Sequence, residues 1–308
     1  MAGGAIMIIA TVDSYIEIRR ACGFAFKSEG TSLKDFAAFS NAKGQQYVSA
    51  EIAMEWARQG RSMCARARRL GHVIRFARYM RAEDTRHDLP PAVFGAENNP
   101  RPTPYIFSLE NTQRLIQAVS QSGYRTLRRN TYSTFFALLA CTGLRVSEAI
   151  HLRYDDITDD GLIIRRTKFR KSRLVPLHDT ARAGLEHYLE LRRPYAPLDN
   201  HVFISLRRKP LLIENAEGAF RKAVSDIGLQ REAGRPRPTI HSLRHSFAVR
   251  ALENCPDDRD RITQHMVALS TYLGHGHVGH TYWYLEATPQ LMKDISERCE
   301  RFVAGGAS

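Results

Sequence analysis

Five prolines crowd into the stretch Leu89–Pro104, at positions 90, 91, 100, 102 and 104, together with Gly95, Asn98 and Asn99. Proline fixes φ and has no N–H to donate, so neither a helix nor a central strand can run through such a segment. The sequence therefore predicts two folded parts, a module over residues 1–92 and a larger one over 108–308, joined by a linker at 93–107. A chain of 308 residues fits that division, at about 150 residues per domain. The apolar run Gly4–Val12 is too short to cross a bilayer and no basic segment precedes it, so neither membrane insertion nor secretion is expected. The five cysteines are odd in number and lack CxxC spacing, which predicts a reduced, cytoplasmic setting without a disulfide framework.

Charge narrows the function classes. Lys and Arg number 45 against 32 Asp and Glu, a net +13. Through residue 100 there are 14 basic and 10 acidic residues, and after it 31 and 22. Both modules are thus basic, which one charged tail would not produce. A polyanionic partner follows, nucleic acid ahead of a membrane surface.

The first module reads as helical. Its most informative piece, Ala57–Arg81, holds eight arginines and no acid. At about 100° per residue, Arg61, Arg68, His72 and Arg75 share one stripe, with Leu70, Val73, Ile74 and Ala77 roughly opposite. Guanidinium groups on the open face suit phosphate, so Arg61, Arg68 and Arg75 are candidate DNA contacts; a merely solvated basic face is the alternative. Arg66 and Arg81 fall outside the stripe.

In the second module Ser108 is a candidate N-cap with Glu110 in the first turn, and Thr131–Cys141 reads as a buried helix ended by Gly143. Gly161–Ile164 and Arg173–Leu177 flank a basic turn and predict a hairpin with a cationic tip, and His201–Ile204 reads as a further strand. Helical patterns follow over residues 179–192, 213–228, 241–254, 262–273 and 289–303. The fold class is mainly α with a small β-sheet.

Four clusters in this module carry chemistry: Thr142-Gly-Leu-Arg-Val-Ser-Glu-Ala149; Lys168 on the hairpin; His241-Ser-Leu-Arg244, an i,i+3 pair on one helix face; and Leu273-Gly-His275 followed nine residues later by Tyr284. Their order resembles the tyrosine recombinase (phage integrase) family over roughly residues 108–303, and the basic helical module resembles that family's core-binding domain. The resemblance implies a C-shaped clamp around double-stranded DNA at a specific recombination site. It also implies strand cutting and rejoining through a 3′-phosphotyrosyl intermediate, with no metal and no nucleotide cofactor.

Carried over residue by residue, the resemblance makes Tyr284 the nucleophile and Arg145 and Arg244 the clamp on the pentavalent phosphorus, for which forked permanent cations are suited. His275 donates to the same phosphate, His241 is the base or proton relay near the tyrosine, and Lys168 is the general acid for the leaving 5′ oxygen. Glu148 braces the site. Arg170, Lys171 and Arg173, with Arg166, are rivals of Lys168 and candidate backbone-phosphate contacts. Tyr282 is a rival of Tyr284, but the spacing from His275 favours Tyr284, leaving Tyr282 and Trp283 as packing residues. His277 and His280 read as loop residues close to DNA; a zinc reading of His275, His277 and His280 lacks an acidic or thiol partner at ligand spacing.

Leu291, Ile295, Cys299 and Phe302 or Val303 repeat at helical spacing, either as core or, as the resemblance implies, as a helix that docks on a neighbouring protomer in a tetramer on paired sites. No further module is expected ahead of the basic helices. The acidic stretch Cys255–Arg261 departs from the family pattern. Two other readings use the same residues: a catalytically inactive DNA-binding relative, and a DNA-relaxing topoisomerase of the same chemistry.

Overall fold

The computed structural model describes residues 7–95, 103–165, 172–195, 200–229, 236–254, 259–275, 277 and 279–284. The chain divides into two compact units, Met1–Arg101 and Pro102–Ser308. No helix among the described residues is long and apolar enough to cross a membrane.

Among its described residues the first unit holds four helices: α1 (Met7–Ala21), α2 (Lys27–Ala42), α3 (Ala50–Arg58) and α4 (Met63–Arg81). Val12, Leu33, Phe36, Trp56, Val73 and Phe76 meet in its core, each almost wholly buried. At about 1.5–3 kcal/mol for each large apolar side chain removed from water, this packing rather than helix propensity holds the unit together. Trp56 donates its indole N–H to Asp35 at 3.0 Å, and Arg69 lies 4.0 Å above the same ring while pairing with Asp35.

The arginine-rich piece is not one helix. Gly60 and Ser62 interrupt it, Ser62 capping α4 by accepting from the Ala65 N–H at 3.1 Å. Arg61 therefore precedes α4 and loses its phase with Arg68 and Arg75, although all three are exposed. His72, expected on the open stripe, is buried beside Val73. Arg66 turns back to the Gly60 carbonyl at 2.9 Å, which accounts for its place outside the stripe.

The second unit is built around α6 (Thr126–Thr142), packed between α5 (Leu109–Ser120), α8 (Asp179–Arg192) and α10 (Ile240–Glu253). Ser108 caps α5 by accepting from the Asn111 N–H at 3.1 Å. Gly143 ends α6 with φ +62, a conformation open to glycine at no steric cost. A Cβ there would also lie 2.5 Å from the Phe247 ring. Phe135, Phe136, Phe203 and Phe220 form the aromatic centre of the core, with ring centroids 5.1–5.9 Å apart.

The short helix α7 (Val146–Ile150) leads into an antiparallel sheet of β1 (Ile157–Thr158), β2 (Gly161–Ile164) and β3 (Arg173–Val175), in the order β1-β2-β3. Leu162 faces Val175 and Ile164 faces Arg173. The hairpin tip with Lys168, Arg170 and Lys171 lies outside the described residues, as do the C-terminal segment 290–303 and residues 255–258. The strand expected at His201–Ile204 is reduced to isolated bridges, Arg153 to His201 and Ile204 to Pro210. Its backbone bonds go to scattered partners, Val202 N–H to the Leu152 carbonyl and the Phe203 carbonyl from the Leu211 N–H, while the buried Arg192 guanidinium donates to the His201 and Val202 carbonyls, so no continuous ladder forms. The unit is completed by α9 (Ile213–Asp226), α11 (Arg259–Leu273) and the single turn α12 (Gly279–Tyr282).

Candidate active site

The site forms around the carboxyl end of α11. Gly274 takes φ +65, and the helix closes with Gly274 N–H to the Thr271 carbonyl and His275 N–H to the Ser270 carbonyl. This pairing still leaves the last carbonyls of the helix without backbone donors. Three arginines from three different elements supply them. Arg173 of β3 donates to the Tyr272 carbonyl at 2.6 Å, Arg244 of α10 to Leu273 at 2.6 Å, and Arg145 ahead of α7 to Gly274 at 2.7 Å. Cations at the negative end of a helix dipole are favourable in themselves.

Glu148 ties two of these arginines together. Its carboxylate accepts from the Arg145 backbone N–H at 2.9 Å and guanidinium at 2.7 Å, and from Arg173 at 3.0 and 2.8 Å. Burial alone would raise its pKa, yet the Arg173 and Arg145 hydrogen bonds outweigh it and hold the carboxyl down to about 2. Glu148 is therefore a permanent anion and no proton donor. Arg173 is a correction to the sequence reading. Its side chain is 10% exposed and its guanidinium is spent on Glu148 and Tyr272, so it braces the interior instead of facing a DNA backbone. Strand alternation carried the signal, since Val175 is buried and Leu174 exposed, which turns Arg173 inward.

Arg244 is almost wholly buried and donates to the Gly143 and Leu273 carbonyls, each at 2.6 Å. Burial, then the nearby Arg145 charge, push it down to about 10, so it stays a cation at neutral pH. A guanidinium has five N–H donors, so Arg145 and Arg244 keep donors for an anion beyond those anchoring bonds. Three guanidinium groups against one carboxylate leave the described site with an excess of positive charge. A phosphate is what such a site would take.

His275 donates to or accepts from Thr281 Oγ1 at 2.8 Å through Nδ1, and its ring stacks on Tyr284, centroids 6.0 Å apart at 20°. Desolvation first, then the Arg244 and Arg145 charges, lower His275 to about 3. His241 is partly exposed, yet desolvation first, then the Arg244 and Arg145 charges, bring it to about 4. Both imidazoles are therefore neutral at pH 7.

Tyr284 is 3% exposed and packs with Leu252, Leu269 and Leu273. Its hydroxyl lies 3.3 Å from Nδ1 of His245. His241 does not take that place. Its ring stands edge-on to His245, centroids 4.5 Å apart, one turn earlier on α10. His245 escaped the sequence reading although the run His-Ser-Leu-Arg-His has both imidazoles at i,i+4, which is one helix face. Tyr282 is 54% exposed at the outer end of α12, so it is not a packing residue, whereas Trp283 is half-buried against His245 at 5.1 Å. His277 and His280 are exposed. No group of three or more metal-ligating side chains occurs among the described residues.

Comparison with known proteins places this geometry. Residues 107–290 match the model of the phage integrase family. The chain is 38% identical to y4rB of Sinorhizobium fredii, named as an integrase/recombinase, over 94% of this chain and 96% of that one. It is 30% identical to the tyrosine recombinase XerD of Listeria monocytogenes, over 79% and 78% of the two chains. The crystal structure of the XerH site-specific recombinase bound to palindromic difH substrate, a post-cleavage complex, superposes with a TM-score of 0.67 at 17% identity, covering 95% of this chain and 85% of that one. A family model spanning residues 107–290 and relatives 30% and 38% identical over most of their length show that the chain belongs to the phage integrase family, the tyrosine recombinases.

Proposed function

We propose that this recombinase cuts and rejoins double-stranded DNA at a specific site through a 3′-phosphotyrosyl bond to Tyr284. Arg145 and Arg244 hold the non-bridging oxygens of the scissile phosphate, His275 adds a hydrogen bond, and Lys168 gives a proton to the leaving 5′ oxygen. Glu148 and Arg173 position Arg145. The observation that carries this reading is the convergence of Arg145, Arg244, His275 and Tyr284 on the turn 273–275, within one unit of the fold. Attack by the phenol oxygen forms one P–O bond and breaks the P–O5′ bond, so the bond energy is retained for the 5′-hydroxyl that later reverses the step. No hydrolysis intervenes.

Arg61, Arg68 and Arg75 of the first unit are exposed and add backbone contacts, as do Arg170 and Lys171 of the hairpin. Each phosphate neutralised steepens the salt dependence of binding. The XerH relative is described on a palindromic duplex. A palindrome offers one half-site to each of two protomers, which supports assembly of this chain on its DNA; the segment 290–303, with apolar residues at helical spacing, is the candidate link between protomers, up to a tetramer on paired sites. In the cell the protein is cytoplasmic and associates with the nucleoid when bound.

The test is adduct formation in chelator. The wild-type chain is incubated with duplexes it selects from a randomised pool, nicked at successive positions, and covalent protein–DNA species are resolved on denaturing gels. An adduct lost in Tyr284→Phe and kept in Tyr282→Phe is expected. No adduct from wild type on any nicked duplex refutes the reading in favour of DNA binding alone. Plasmid relaxation without exchanged products favours a topoisomerase.

A further inference from the structure

Tyr284 needs a proton acceptor, because a phenol with an ordinary value of about 10 is almost wholly protonated at neutral pH. Two imidazoles on α10 compete for that role. His241 stands one turn earlier on α10 and packs against the His245 ring, with centroids 4.5 Å apart at 83°. His245 is wedged among His241, Trp283 and Tyr284, with ring centroids at 4.5, 5.1 and 5.5 Å, and its Nδ1 faces the phenol oxygen at 3.3 Å. His275 lies on the ring face of Tyr284, with Nδ1 committed to Thr281.

We propose that His245, not His241, is the catalytic residue that takes the Tyr284 proton during strand cleavage and returns it during rejoining. The inference rests on the reading of Tyr284 as nucleophile. In the step, the O–H proton passes to His245 Nδ1, the phenol oxygen forms the new bond to phosphorus, and the P–O5′ bond breaks. The 5′ oxygen leaves with the proton supplied by Lys168. Nδ1 must be the bare nitrogen beforehand, so the ring proton sits on Nε2. On religation the 5′-hydroxyl attacks phosphorus and gives its proton back to Lys168, the P–O bond to Tyr284 breaks, and His245 protonates the departing phenolate. The charged and titratable groups that face this pair are His241 on the same helix, His275 on the tyrosine ring, and Arg244, whose positive charge interacts with Tyr284 and favours the phenolate. The low basicity of His241 and His275, set by Arg244 and Arg145, agrees with the choice.

The experiment measures single-turnover adduct formation from pH 6 to about 10 on the nicked duplex chosen by the wild-type chain. His245→Asn keeps a hydrogen-bond acceptor near the Nδ1 position but cannot take a proton. At pH 7 its rate should fall at least about a hundredfold, the usual scale of general-base catalysis, with DNA affinity unchanged. The loss should then shrink about tenfold per pH unit as the phenol ionises by itself. A rate within about threefold of wild type at pH 7, or a deficit that persists undiminished to pH 10, overturns the proposal. Should His245→Asn weaken DNA binding, His245→Ala with added imidazole decides: recovery of adduct supports the role, and no recovery overturns it. Absence of adduct from the wild-type chain itself refutes the recombinase reading and this inference with it, an outcome distinct from a silent His245 substitution.

Discussion

Glu148→Gln tests the electrostatic frame of the site. The carboxylate is 7% exposed and accepts four hydrogen bonds from Arg145 and Arg173. An amide has nearly the same shape, yet it carries no charge and turns an NH2 group toward one of the guanidinium forks. Drawing a carboxyl from 4.5 down to about 2 corresponds to about 3 kcal/mol at neutral pH, at about 1.4 kcal/mol per pH unit. Because the folded value lies below the unfolded one, this stability is complete above pH 4.5 and is lost as pH falls toward about 2. Wild type should therefore exceed Glu148→Gln by about 3 kcal/mol at pH 7, and by about 1 kcal/mol at pH 3. That is a large share of a domain's usual 5–15 kcal/mol or so. Urea midpoints at constant m-value, taken across this range, measure it. A gap below about 1 kcal/mol at pH 7, or one of equal size at pH 7 and pH 3, would refute the reasoning.

Three further outcomes follow from the same geometry. Gly274→Ala combines φ +65 with a Cβ 2.8 Å from Arg173 Nη1; it should cost about 1–3 kcal/mol in thermal or urea unfolding and also lower the adduct rate. Arg244→Lys can satisfy at most part of the forked anchoring at Gly143 and Leu273 and presents one point charge in place of a fork, so adduct formation should fall about 10²–10³-fold in single-turnover assays. His275 and His241 have folded values pressed well below 6.5. Stability should thus decline as pH drops below 6.5 toward these values, and an oxyanion bound in the site should oppose the decline by favouring imidazolium; urea titrations with and without inorganic phosphate read this out.

Much of this was legible in the sequence where a local rule decides the conformation. Ser108 and Gly143 marked helix ends because capping geometry is set by the residue itself. The hairpin was readable from two short apolar runs around a polar turn. The order Arg145, Arg244, His275, Tyr284 anticipated which side chains converge. What escaped depends on tertiary placement. Alternation along β3 turns Arg173 inward, but that a carboxylate meets it there depends on Glu148 arriving from α7. That His245 meets the tyrosine depends on the turn after α11 folding the chain back onto α10. His201–Ile204 had the composition of a strand, but its backbone pairs with Leu152, Leu211 and the Arg192 guanidinium instead of with one neighbouring strand. The arginine stripe failed at Gly60 and Ser62, where breaker and cap signals outweigh a run of basic residues.

The three arginine anchors on Tyr272, Leu273 and Gly274 make the end of α11 a ruler from which both forks are measured. Substitutions that loosen the buried face of that helix will shift Arg145 and Arg244 together. A genetic screen for lost strand exchange should then recover lesions at Met266 or Leu269, buried positions that contribute no reacting atom, and backcrosses that restore the packing there should restore turnover without touching the chemistry.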